Sequence, residues 1–174
     1  TWRTVHDYFI TWAQDRDVRV LYHHALVEEA RYLDAQAGDS PVAFSTIYPG
    51  RFHDHYTVEI TLHREDLSLR WFDGRFALLF PAEGQTRVIV PSLAPLDQAF
   101  APYFDPYATH LHTETFRPDD LTTHFDVYRF AADEALAGLL ADAANQPTYW
   151  HATDVFTPAA SAYRPLDLPA NLGG

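Results

Sequence analysis

The sequence predicts an α/β domain: a three-layer, Rossmann-like body with a mostly parallel, mixed central sheet and helices on both faces. Three observations predict it. The chain has 174 residues, 47% of them hydrophobic, enough to bury one core and short for two domains. Short β-branched and aromatic runs alternate with helix-period segments from residue 18 to residue 144. Pro49-Gly50, Asp73-Gly74 and Pro91 punctuate the boundaries between these runs.

Taken in order, Trp2, Val5, Phe9 and Trp12 recur at helical spacing and predict an amphipathic helix at the start. VRVLY (18–22) is short and β-branched and reads as a strand. Leu26, Ala30, Leu33 and Ala37 then define a helix from His24 that stops at Gly38. PVAFSTIY (41–48) is the next strand, ended by Pro49-Gly50. Tyr56 to Leu62 alternates like a strand, but the order of elements favours a helix there. LSLRWF (67–72) and FALLF (76–80) flank Asp73-Gly74 and read as a hairpin, which would make the sheet mixed. Arg87 to Val90 is a strand closed by Pro91, and Pro95 to Phe104 a short helix with Pro in its first turn. His110 to Phe116 and His124 to Phe130 read as strands, and Ala131 to Ala144 as an Ala-rich helix. The α/β domain is thus expected over 1–146. Residues 147–174, broken by Pro147, Pro158, Pro165 and Pro169, read as a tail or linker.

Composition excludes several chemistries. The formal charge is −12, which argues against nucleic acid and anionic lipid surfaces as partners. All twelve cations are arginine, so lysine Schiff-base chemistry is excluded; with 24 carboxylates this reads as an acidic, solvated surface from a GC-rich, heat-adapted source. Without cysteine there can be no disulfide, thiolate nucleophile or Cys-ligated zinc. Met is absent, position 1 included, which reads as a processed product or an excised fragment. No apolar run approaches the ~20 residues that span a bilayer.

The densest polar motif is YPGRFHDHYTVE (48–59). His53 and His55 are two apart, so on a helix they diverge, a poor spacing for a helical metal pair. The plain expectation is that Asp54 caps a helix and the histidines face solvent. The alternative is ligand contact, because loops after strand C-termini carry the ligands of α/β sheets. On a strand, His110 and His112 would share a face with Glu114 in line, and such a face could hold a divalent metal, though a surface ladder is the simpler reading. His23-His24 reads as serving a helix start. Ser45 lacks the glycines of a nucleophile elbow, and no G-x-G-x-x-G or phosphate loop is present. The sequence therefore assigns no catalytic residue, no cofactor and no metal.

Four segments together resemble a known family: YFITWAQDRDVRVLYHHALVEEARYLD (8–34), PVAFSTIYPGRFHD (41–54), DLSLRWFDGRFALLFP (66–81) and LPANLGG (168–174). They are similar to the extracytoplasmic C-terminal portion of bacterial membrane glycosyltransferases related to the dolichyl-phosphate-mannose protein mannosyltransferases and aminoarabinose transferases. The resemblance implies a non-catalytic accessory domain on the extracytoplasmic face of the membrane, partnered by the membrane-embedded remainder of a parent chain that uses polyprenyl-phosphate sugars. It also implies that the catalytic acidic residues lie outside these residues and that the first helix is the piece nearest the last membrane span. On this reading Tyr48, Arg51, His53 and Asp54 form a polar loop at the ligand-binding edge, with Trp71 and Asp73 beside it, contacting saccharide or lipid-linked sugar. Two other classes stay open: a structural or assembly subunit of an extracellular or membrane-associated complex, and a metal hydrolase built on His110, His112 and Glu114 with His53 or His55.

Overall fold

The computed structural model describes residues 2–36, 38–50, 53–81 and 84–145. The chain divides into two compact units, Thr1–Leu136 and Ala137–Gly174. The first carries the sheet and the site; the second is described only as helix through Asn145. The expected tail lies outside the described residues.

The chain opens with α1 (Trp2–His6), which runs on as a π-helical turn to Thr11 and a 3-10 turn to Gln14. The helix expected from the spacing is there, with Trp2, Val5 and Trp12 exposed; the Phe9 side chain lies outside the described residues. Next comes α2 (Arg16–Leu21), where the sequence predicts a strand. The Asp15 side chain accepts a hydrogen bond from the Asp17 amide at 2.9 Å and so starts a helix, while Arg19 is drawn into ion pairs with Asp119 and Asp120 at 3.1 and 2.7 Å. A five-residue β-branched run is too short to resist a cap and a buried cation.

His23, at φ 51°, turns the chain in a left-handed conformation into α3 (His24–Ala35). Strand β1 (Val42–Ser45) follows, then α4 (Asp54–Thr61) and β2 (Leu69–Phe72), which pairs parallel to β1. The expected hairpin at Asp73-Gly74 is absent. The Asp73 carbonyl instead accepts from the amides of Phe76 and Ala77, a helical-type turn, and residues 77–80 carry no strand. Leu78, Leu79 and Phe80 pack against the core from outside the sheet. Strand β3 (Gln85–Pro91) pairs parallel to β1 on its other side. A 3-10 turn capped by Asp97 leads into α5 (Ala101–Phe104), a short helix that starts later than Pro95. Strands β4 (Ala108–Thr115) and β5 (His124–Ala131) and helix α6 (Ala132–Asn145) complete the order.

The sheet order is β2-β1-β3-β5-β4. It is mixed, as expected, but because of the antiparallel β3–β5 and β5–β4 pairs rather than a hairpin at Gly74. Strand alternation divides the core between the two faces. Val42, Phe44, Ile89, Phe125 and Val127 meet Leu26, Ala30 and Leu33 of α3 and Val58 of α4 on one face. Ala43, Val88, Val90 and Phe130 meet Phe104 of α5 and Ala132 and Ala135 of α6 on the other. The β1-to-β2 connection crosses by α4 on the first face, and the β2-to-β3 connection lays Leu78–Phe80 on the second. The C-terminal ends of β1 and β3 thus border a crevice, the topological switch point where α/β sheets receive ligands.

Candidate functional site

A cavity of about 230 Å³ opens at this switch point. Its floor is the end of β1. Ser45 Oγ donates to the Ala94 carbonyl at 2.5 Å and accepts from the Gly74 amide at 3.0 Å, tying the ends of β1, β2 and the segment after β3 together. A Cβ added at Gly74 would lie 2.6 Å from Ser45 Oγ and 2.9 Å from Leu96, so this backbone approach requires glycine.

The polar wall comes from two helix starts. His53 precedes α4 without capping it, and Asp54 is the buried first residue of that helix. The expectation of Asp54 as a cap is therefore corrected, while His53 is half exposed as expected and His55 packs its ring on Trp71. One Asp54 oxygen faces His53 Nδ1 at 2.6 Å, and the other accepts from the Thr46 hydroxyl. His23, at the α2–α3 corner, brings its ring 4.7 Å from that of His53, edge to face. The ligand atoms of His23, His53 and Asp54 all lie within 4.8 Å of one another. Burial lowers the basicity of His23, and a charge on His53 would lower it further, while Asp54 opposes both.

Glu29 lines the same cavity from α3. It is wholly buried, and neither carboxylate oxygen has a hydrogen-bond partner. Burial pushes its carboxyl well above the usual range, and the negative charge of Asp54 pushes it further. On the far side Arg19, held by Asp120 and Asp119, joins α2 to the β4–β5 connection and closes the wall. Two imidazoles, two carboxyls and the Thr46 hydroxyl therefore converge on one side of the recess, an arrangement suited to binding a cation or to moving a proton.

The residues expected at the site divide. Tyr48, His53 and Asp54 line the cavity, with the Tyr48 ring 4.8 Å from that of His53. Arg51 lies outside the described residues. Trp71 is on the strand beside β1, opposite Phe44, but its ring is sandwiched between Phe44 and His55 at 4.6 and 5.4 Å, as a core side chain. Asp73 is spent on its own turn: Arg75 binds it at 2.7 and 2.9 Å and holds its carboxyl below the usual range. Sequence reasoning missed His23, Glu29 and Thr46. Glu29 carried a signal, since it sits three residues after Leu26 and four before Leu33, a charged residue on the apolar stripe of α3.

The His-x-His-x-Glu face of β4 does not form. A bulge between His110 and His112 pairs His110 with Tyr128 but His112 with Val127, so the two histidines leave on opposite faces of the sheet. His112 stacks on Tyr32 of α3 and contacts Glu114 at 3.2 Å; His110 contacts Tyr128 and Asp126. No helix among the described residues is long and apolar enough to cross a membrane. No protein-family model, curated protein or solved structure matches this chain.

Proposed function

We propose that this chain is a ligand-recognition domain of the extracytoplasmic portion of a membrane glycosyltransferase, and that the cavity at the β1–β3 crevice receives a saccharide or lipid-linked sugar. The observation that carries this reading is that, besides the cavity, the chain carries an exposed apolar stripe: α1 presents Trp2, 81% exposed, and Val5 at helical spacing to solvent. Large apolar side chains left open on one stripe fit a surface that docks elsewhere. The membrane-embedded remainder of the parent is the occupant the resemblance implies. The cavity would then hold the ligand with Tyr48 and His53, while Trp71 and Asp73 support the sheet edge behind it.

Two measurements test the proposal. Titration of polyprenyl-phosphate sugars against the purified chain should give saturable binding that weakens about tenfold in Tyr48→Ala and His53→Ala, equivalent to about 1.4 kcal/mol. Equal binding, or none, in all three proteins removes the cavity as a sugar site. The gene upstream of Thr1 should encode about ten or more apolar spans of ~20 residues; a lone signal peptide or single anchor there would favour an assembly subunit instead.

A further inference from the structure

We infer that His23, His53 and Asp54 form a binding site for one divalent transition-metal ion, zinc by ligand type, with an open coordination position facing the cavity. The site goes beyond sugar recognition and does not depend on it. Four observations carry it.

The first is convergence. The two imidazoles and the carboxylate come from two chain segments, the α2–α3 corner and the start of α4, and their ligand atoms lie within 4.8 Å of one another. Tetrahedral zinc, with bonds of about 2.0–2.2 Å, holds its ligand atoms about 3.4 Å apart, so side-chain rotations of about 1 Å, which also open the 2.6 Å His53–Asp54 contact, complete the set. The second is Glu29, whose two carboxylate oxygens are fully buried in the same cavity without a partner. A bound cation gives that orphaned group the positive neighbour it lacks, with Glu29 as a base toward a metal-bound water.

The third is the support around the ligands. The Thr46 hydroxyl fixes one oxygen of Asp54, and His23 is held in a left-handed backbone conformation uncommon for a residue with a side chain. Such strain collects where a side chain must be aimed. The last is ligand type: two nitrogens and a carboxylate select zinc and its neighbours over calcium and magnesium, which take all-oxygen sets. The alternative, a simple proton-sharing His53–Asp54 pair, needs neither His23 nor Glu29.

Zinc titration of the chelator-treated chain, by calorimetry or by competition with a chromophoric chelator, tests the site. One equivalent should bind. His23→Asn, which keeps a residue tolerant of the left-handed conformation, and His53→Gln should each weaken it tenfold or more. His110→Ala/His112→Ala should bind as the parent does. No stoichiometric zinc, or zinc lost with His110 and His112, overturns the proposal. Should both site variants unfold by circular dichroism, imidazole nitrogen spectra of the unsubstituted chain decide: zinc must shift the His23 and His53 resonances, and shifts confined to other histidines overturn the site.

Discussion

Two regions of this molecule are rich in histidine and carboxylate, and they are built in opposite ways. In the β4–β5 hairpin the residues are close in sequence: His110, His112, Glu114, His124 and Asp126. The bulge sends His110 and His112 to opposite faces, and each finds a carboxylate at the exposed sheet margin. At the β1–β3 crevice His23, Glu29, Thr46, His53 and Asp54 are scattered over three elements, yet all line one cavity. The contrast separates density along the chain from convergence in space. A solvated ladder satisfies its charges with water, whereas the crevice leaves a carboxyl buried and unpaired, and that imbalance marks a site.

The largest effect that sharpens this contrast should come from Phe125→Ala. Phe125 is fully buried beneath the hairpin, between Tyr32 and Phe116, so its loss should cost about 3–5 kcal/mol in urea denaturation. A small loss would mean that the polar ladder, rather than its apolar underside, attaches the hairpin. Glu29→Gln should have an intermediate effect of the opposite sign. Burial raises the carboxyl of Glu29 in the fold above its ordinary value of 4.5. The folded chain therefore keeps a proton that the unfolded chain releases, and its stability falls as pH rises from 4.5 toward the folded value. The glutamine variant lacks this titration, so with chelator present it should gain on the parent progressively as pH rises above 4.5. Parallel stability profiles for the two proteins would refute the raised carboxyl of Glu29. The smallest effect should be that of His110→Ala, an exposed surface change worth within about 0.5 kcal/mol by thermal melting. A larger loss would make the ladder structural and blur the distinction.

Legibility in the sequence followed the length of the signal. Helix α3 and strands β1, β3 and β5 carry apolar periods long enough to be read directly, and from them comes the α/β class. The VRVLY segment reads as a strand from five residues alone, and the deciding group, Asp15, stands just outside it as a cap. The Asp73-Gly74 turn looked like a hairpin because a dipeptide cannot reveal that Arg75 will hold Asp73 and that Gly74 must lie against Ser45. The bulge at Leu111 left no trace in alternation, so the metal face read from His110 and His112 dissolved in the fold. Of the candidate site, the 48–54 loop was legible because its polar residues are adjacent. His23 and Glu29 were not assigned, since only tertiary packing brings α3 over the end of β1, although the charged residue on an apolar stripe was visible.

The contact of Gly74 with Ser45 has a consequence for how such a pocket could change its preferences. One side of the recess is cast in main chain, with amide, hydroxyl and carbonyl interlocked, so substitution there disturbs the scaffold before it alters selectivity. The opposite side consists of side chains on helix starts, where exchange of a residue leaves the backbone in place. Divergence toward a new guest should therefore be written at positions 29, 48 and 53, while 45, 74 and the left-handed 23 stay silent.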